Sequence, residues 1–123
     1  MPNKLSPGSR CRVIKAYEAE FPVPLAFSKG EMLVVEERET TFPGWLWCTN
    51  DRGESRWVPV AFLERDRDGS RARMNRDYDS RELSVEVGET LIVEERVSEW
   101  LWCLQEKSRL RGWVPEAHTE TIV

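Results

Sequence analysis

A tryptophan-rich segment that occurs twice is the feature that most limits how this chain can fold. Residues 44–48 (Gly-Trp-Leu-Trp-Cys) return as residues 99–103 (Glu-Trp-Leu-Trp-Cys). Each copy follows a Gly-Glu pair with an apolar stretch, at 30–35 and 88–93, and each precedes a Trp-Val-Pro segment, at 57–59 and 113–115. Because these parts recur in the same order after roughly fifty to sixty residues, the sequence predicts one small module written twice.

The repeat predicts two domains in the 123-residue chain, at 10–65 and 71–123. Units of about sixty residues can fold alone, although only marginally. Six tryptophans supply a large apolar area to such small units. The charged segment 66–70 (Asp-Arg-Asp-Gly-Ser) is predicted to be a short linker, and the polar lead up to about Ser9 is predicted to be disordered or loosely attached.

Short apolar segments separated by turn residues predict the secondary structure. They indicate strands near residues 11–17, 32–38, 45–49, 55–59 and 63–65, and the same plan again from residue 72. A single helical turn is expected after Pro59. Since no segment has helical periodicity, the predicted fold class is all-β, with two small five-stranded antiparallel barrels in tandem.

Charge and composition exclude several classes of function. The formal net charge of -4 with interspersed signs argues against nucleic acid as the partner, and no apolar stretch is long enough to span a membrane. The first eight residues lack the apolar core of a signal peptide, so a cytoplasmic location is expected. Three scattered cysteines fit a reducing compartment, and all three are predicted to be free thiols.

Both units resemble SH3 domains. The family's Leu-Ser-Phe-x-x-Gly-Asp/Glu element is matched by residues 25–31 (Leu-Ala-Phe-Ser-Lys-Gly-Glu) and by residues 83–89 (Leu-Ser-Val-Glu-Val-Gly-Glu). Together with the tryptophan and Trp-Val-Pro segments, the matches cover nearly the whole chain. The resemblance implies a non-catalytic adaptor, without cofactors, that binds protein or peptide partners by laying extended, possibly proline-containing segments across aromatic side chains.

The resemblance also implies one ligand-binding groove per unit. In the first unit the matching positions are Lys15, Tyr17, Trp45, Trp57, Pro59 and Phe62, and in the second they are Arg76, Tyr78, Glu82, Trp100, Trp113, Pro115 and His118. Lys15 and Arg76 stand where the family has a tyrosine, and Glu82 keeps the family's acid. A cation at the rim of the pocket predicts a preference for acidic or carboxylate-ended ligands.

Structural roles for the same residues remain open. Trp45 and Trp100 could be core residues, but we expect them to be exposed, because Trp47 and Trp102 lie on the same strand faces and only one of each pair needs burial. The cations of the two predicted grooves could simply cover neighbouring rings.

The sequence also bears on catalysis, metal binding and two alternative functions. A nucleophile formed by Cys103 and His118 would lack an orienting third group, and the cysteines and the one histidine do not have zinc-ligand spacing, so no catalysis and no metal are expected. One alternative is a structural or self-association module whose aromatic faces pack on each other or on a second copy. Another is a targeting unit of the bacterial SH3-like kind.

Overall fold

The computed structural model describes residues 8–39 and 43–122. Within these ranges the chain forms β-strands and two single turns of 3-10 helix and no α-helix, so the all-β prediction is confirmed. The polar lead that was expected to be loosely attached lies, up to residue 7, outside the described residues. In the described part of the chain, no helix is long and apolar enough to cross a membrane.

The strands are short and follow the predicted positions closely. They are β1 (Arg10–Val13), β2 (Ala26–Phe27), β3 (Met32–Glu36), β4 (Trp45–Thr49), β5 (Ser55–Pro59), β6 (Leu63–Arg65), β7 (Arg71–Met74), β8 (Tyr78–Asp79), β9 (Thr90–Val97), β10 (Trp100–Gln105), β11 (Arg111–Pro115) and β12 (Thr119–Thr121), with 3-10 turns at Val60–Phe62 and Glu116–His118. The predicted helical turn after Pro59 is therefore present. The strand predicted at 11–17 ends at Val13, and Tyr17 makes only an isolated bridge to Val85.

The strands form two five-stranded antiparallel sheets and one two-stranded pair. One sheet has the order β11-β10-β9-β1-β12 and the other β5-β4-β3-β7-β6, while β2 pairs with β8. The chain divides into two compact units: unit 1 is Met1–Pro24 with Arg81–Val123, and unit 2 is Leu25–Ser80. This division does not follow the repeat boundaries at 10–65 and 71–123.

Each sheet contains the first strand of the other repeat. In unit 1, β1 lies between β9 and β12, with Cys11 opposite Leu91 and Thr121. In unit 2, β7 lies between β3 and β6, with Ala72 opposite Leu33 and Arg65. The two repeats therefore exchange their N-terminal strands, and unit 2 is inserted into the sequence of unit 1.

Residues 66–70, predicted to be a linker, form the hairpin turn between β6 and β7 inside unit 2. The amide of Asp66 donates to the carbonyl of Arg71 at 2.9 Å, and the amide of Gly69 donates to the carbonyl of Asp66 at 3.1 Å. Gly69 has φ +77°, which glycine adopts without strain. A turn this tight pairs the strand that follows it with the strand that precedes it. The linker prediction is therefore wrong.

Each unit has its own apolar core. The core of unit 1 combines side chains from both repeats, namely Cys11, Val13, Leu83, Val85, Leu91, Val93, Leu101, Cys103 and Val114. In unit 2 the fully buried positions include Leu33, Cys48, Val58, Ala72 and Met74. All three cysteines are free, as predicted, and all three are buried. Their side chains pack as small apolar groups on strands.

Candidate functional site

The strand exchange sorts the predicted groove residues into two new groups. Unit 1 holds Lys15, Tyr17, Glu82, Trp100, Trp113, Pro115 and His118, and unit 2 holds Trp45, Trp57, Pro59, Phe62, Arg76 and Tyr78. The grouping by repeat is therefore wrong, because Tyr17 lies against Trp100 rather than against Trp45. The physical reason is that the segment carrying Tyr17 continues from β1, which belongs to the sheet of unit 1.

Three rings meet in unit 1, and we call them the Tyr17 cluster: Tyr17, Trp100 and His118. The Tyr17 ring centroid lies 5.6 Å from that of Trp100 and 5.6 Å from that of His118, with an interplanar angle of 85° in both pairs. Such edge-to-face contacts are favourable. Tyr17 and His118 are half-buried, whereas Trp100 is only 8% exposed. The cluster thus presents two partly exposed rings beside a buried indole.

Backbone contacts hold His118 beside the segment that carries Tyr17. His118 ends the 3-10 turn that follows Pro115. Its Nδ1 atom lies 3.2 Å from the carbonyl oxygen of Ala16, and its own carbonyl accepts the amide of Lys15 at 3.3 Å. The backbone of the exposed Lys15 is therefore held beside His118.

Glu82 is engaged by internal donors in unit 1. Its Oε1 atom accepts the hydroxyl of Tyr17 at 2.7 Å and the amides of Glu20 and Phe21 at 2.8 and 3.3 Å. Burial and the Glu82 carboxylate raise the pKa of the Tyr17 phenol. Glu82 thus fixes the loop that follows Tyr17, a structural role that the family resemblance does not imply.

Three buried rings of unit 2 form a second cluster, which we call the Tyr78 cluster: Phe27, Phe62 and Tyr78. Tyr78 is 5% exposed, and its ring centroid lies 5.5 Å from that of Phe62 and 6.1 Å from that of Phe27. Its hydroxyl donates to the carbonyl of Trp57 at 3.0 Å. The guanidinium carbon of Arg76 lies 4.2 Å from the Phe62 centroid. The alternative that Arg76 covers a neighbouring ring is therefore confirmed.

The prediction that Trp45 and Trp100 are exposed is wrong, because each is only 8% exposed. Trp45 lies opposite Pro59 and Trp100 lies opposite Pro115, at the end of each sheet where the chain enters a 3-10 turn. Strand alternation alone does not reveal the burial of these two tryptophans.

The second tryptophan of each repeat is the half-buried one. Trp47 lies opposite Trp57, with ring centroids 5.2 Å apart, and Trp102 lies opposite Trp113, at 5.3 Å. In unit 2, the Arg38 guanidinium carbon lies 4.7 Å from the Trp47 centroid. Trp57 and Trp113 therefore form cross-strand aromatic pairs.

A cleft of about 670 Å³ in unit 1 is lined in part by Tyr17, and we call it the acidic cleft. Gln105 also lines it; this side chain is 7% exposed, and its Nε2 atom donates to Glu89 Oε1 at 2.6 Å. The charged groups of the lining are three carboxylates and one ammonium, those of Glu18, Glu86, Glu89 and Lys107. Because Tyr17 belongs to both the acidic cleft and the Tyr17 cluster, this excess of negative charge lies close to the cluster.

The environment of Cys103 disfavours its thiolate form. A hydrogen bond with Cys11, together with burial, raises the pKa of Cys103. Both effects oppose the thiolate that a nucleophilic role alongside His118 would require. Across residues 8–39 and 43–122, no group of three or more His, Cys, Asp or Glu side chains is arranged to hold a metal ion.

One signal in the sequence indicates the hairpin between β6 and β7, but it does not show which sheet contains β1. Asp68-Gly69 lies between two short segments of strand character, and Asp-Gly in this setting is a hairpin signal. Interpreted in this way, it places residues 71–74 in the sheet of the first repeat. By contrast, no sequence pattern shows that the carbonyl of Ala16 lies beside His118.

Comparison with protein-family models, with curated protein sequences and with solved structures finds no match to this chain. Any assignment of function therefore depends on the contacts within the chain itself.

Proposed function

We propose that this protein is a non-catalytic adaptor of two SH3-like barrels and that unit 1 binds an extended peptide at the Tyr17 cluster. Two features support the barrels. Each unit has a five-stranded antiparallel sheet, and in each a tryptophan-led strand pairs with a strand that ends in proline and enters a 3-10 turn. The sequence elements that resemble SH3 domains also occur in the same order in both repeats.

The difference in exposure between the two ring clusters is the observation that carries this proposal. Tyr17 and His118 are partly accessible beside Trp100, so a ligand can bury more of both rings. In unit 2, Tyr78 and Phe62 are 5% and 4% exposed, and Arg76 lies over Phe62. Flat, partly exposed rings bind extended proline-containing peptides at low entropic cost. The Tyr17 cluster is therefore the better candidate.

We further propose that the ligand is acidic or ends in a carboxylate. Lys15 is exposed and its backbone amide donates to the carbonyl of His118, and Glu82 Oε1 already accepts three internal donors. The carboxylates of the acidic cleft, such as that of Glu18, act against this preference because they repel an acidic ligand. An exposed ion pair contributes about 0.2–1 kcal/mol, so burial of the rings supplies most of the affinity.

A peptide titration followed by NMR tests the proposal. Acidic and basic proline-containing peptides are added to the full chain, and the indole N–H signals of Trp45 and Trp100 are followed. We expect acidic peptides to move the Trp100 signal. His118→Ala should weaken binding at least tenfold, whereas Leu110→Ala, a change at a position 48% exposed in the same unit, should leave it unchanged. Movement of the Trp45 signal alone, or tighter binding of basic peptides, contradicts the proposal.

Self-association through unit 2 is a second candidate function, and one observation favours it. On one face of β3, Met32 and Val34 are 41% and 53% exposed, and the half-buried pair Trp47 and Trp57 lies on the same sheet face by strand alternation. Sedimentation equilibrium of the full chain measures the association. Val34→Glu should abolish it and Val87→Glu, at a position 66% exposed in unit 1, should not. A chain that is monomeric at high concentration excludes this function.

A further inference from the structure

Unit 2 holds its own two ends together. The amide of Ser80 donates to the carbonyl of Leu25 at 3.1 Å, and the Ser80 hydroxyl donates to the same oxygen at 3.0 Å. Next to this contact, Ala26 of β2 pairs with Asp79 of β8. Ser80 is 4% exposed, so this contact is part of the folded unit. As long as unit 2 is folded, the points where the chain enters and leaves it are adjacent.

Unit 1 depends on two separate segments of the chain. Its first segment supplies β1, which lies inside the sheet between β9 and β12, and contributes Cys11 and Val13, both 0% exposed, to the core. The same segment supplies Tyr17, whose amide and carbonyl pair with the backbone of Val85 at 2.9 Å in both directions. Unit 1 therefore cannot keep its core or its ring cluster without bringing these two segments together.

We propose that unit 2 acts as a folded connector whose folding is coupled to that of unit 1 through the continuity of the chain. When unit 2 is folded, the two segments of unit 1 are joined by a short connection. When unit 2 is unfolded, they are joined by an open chain of about 55 residues. The probability of closing a loop falls with the three-halves power of its length. Lengthening the connection from about four residues, when unit 2 is folded, to about 55, when it is unfolded, therefore lowers the equilibrium constant for folding of unit 1 by roughly fiftyfold.

This coupling is reciprocal, as any coupling between two equilibria must be. Anything that stabilises unit 1, including a ligand at the Tyr17 cluster, also favours folding of unit 2 through the same factor. The coupling does not depend on the proposed peptide binding, because it follows from the order of the segments along the chain.

A circular permutant separates chain continuity from every other source of coupling. The permutant begins at Arg81, joins the original C-terminus to the original N-terminus through a short glycine linker, and ends at Ser80. Arg10 and Ile122, described residues near the two ends of the chain, are adjacent, because the amide of Ile122 donates to the carbonyl of Arg10 at 3.0 Å. In the permutant unit 1 is continuous in sequence, and the contacts of both units are kept.

The test uses full-length chains in which unit 2 is unfolded by Val58→Asp together with Ala72→Asp, at two fully buried positions. Hydrogen exchange is measured at the amides of Tyr17 and Val93 in unit 1. In the native order, we expect exchange to become roughly fiftyfold faster or unit 1 to unfold. In the permutant, the same substitutions should leave these amides as protected as in the unsubstituted permutant.

Val60→Asp, at a position in unit 2 that is 43% exposed, is the matched control and should change exchange in neither chain. Unchanged exchange of unit 1 amides in the native order overturns the proposal. Loss of unit 1 in the permutant as well overturns it too, because the coupling would then come from something other than the connection.

Discussion

At the residue scale, equivalent side chains of the two repeats have different partners. Tyr17 donates to the carboxylate of Glu82, whereas its counterpart Tyr78 donates to the backbone carbonyl of Trp57. The difference arises because Glu82 has no acidic counterpart in the first repeat, where Pro24 takes its place. One tyrosine position therefore anchors a loop in unit 1 and closes a core in unit 2.

Removing each tyrosine hydroxyl should reveal this difference. A hydrogen bond to a charged group contributes about 1.5–3 kcal/mol and one between neutral groups about 0.5–1.5 kcal/mol. We expect Tyr17→Phe to lower the free energy of unfolding more than Tyr78→Phe does, as measured by urea denaturation. The matched variants keep both rings, so a larger loss for Tyr78→Phe would contradict the assigned roles.

Ionisation of the Cys48 thiol should make the free energy of unfolding depend on pH in the alkaline range. Burial raises the pKa of Cys48 to about 12 from an ordinary value of 9.0, so the folded state keeps a proton that the unfolded state loses above pH 9. This contribution is complete below pH 9 and is lost as the pH rises toward 12, at about 1.4 kcal/mol per pH unit.

Comparison with Cys48→Ala isolates this effect from other groups that titrate at high pH. The difference in free energy of unfolding between the native chain and the variant should shrink between pH 9.5 and 11. If it stays constant across this range, the thiol does not titrate as its burial requires.

At the element scale, the two repeats differ in the turn that precedes the Trp-Leu-Trp-Cys strand. The connection from β9 to β10 is a two-residue turn in which Ser98 and Glu99 have φ +45° and +69°. The position that matches Glu99 in the first repeat is Gly44, with φ +94°. A left-handed conformation strains most residues other than glycine. The β9–β10 turn therefore carries strain that its counterpart avoids.

Exchanging these residue types should shift stability in opposite directions. Glu99→Gly should raise the free energy of unfolding by about 0.5–1 kcal/mol, because the relief of strain exceeds the added chain entropy. Gly44→Ala should lower it by about 1 kcal/mol or more for the converse reason. Thermal unfolding measured by circular dichroism compares both variants, and a lower midpoint for Glu99→Gly would refute the assignment of strain.

At the scale of the whole molecule, the two compact units do not have the boundaries of the repeats. The fragment 25–80 contains the complete sheet β5-β4-β3-β7-β6, including Ala72 and Met74 in its core. The fragment 10–65 lacks β7 and carries β1 without its neighbours β9 and β12. We therefore expect 25–80 to give a dispersed NMR spectrum and a cooperative melt, and 10–65 to give neither.

A folded 10–65 fragment would contradict this prediction. It would show that β1 can replace β7 in the sheet of the first repeat, so that the exchange would not be needed for folding. A control fragment, 25–70, lacks β7 and should fail to fold for the same reason as 10–65.

The sequence by itself determined the local features of this protein. Period-two alternation and β-branched residues predicted the all-β class and most strand positions, and the residues after Pro59 predicted the 3-10 turn. Three scattered cysteines predicted free thiols, and all three are free. These features depend on neighbouring residues in the sequence, so both copies of the repeat predict them.

Only the tertiary structure decided which segments belong together. The first strands of the repeats have similar apolar patterns, so pattern alone does not choose between the two sheets; the tight turn at 66–70 makes that choice for β7, which leaves β1 in the other sheet. The burial of Trp45 and Trp100, the internal bonds of Glu82 and the position of Arg76 over Phe62 follow from the same assembly. They are contacts between segments distant in sequence, and their geometry exists only once the sheets have formed.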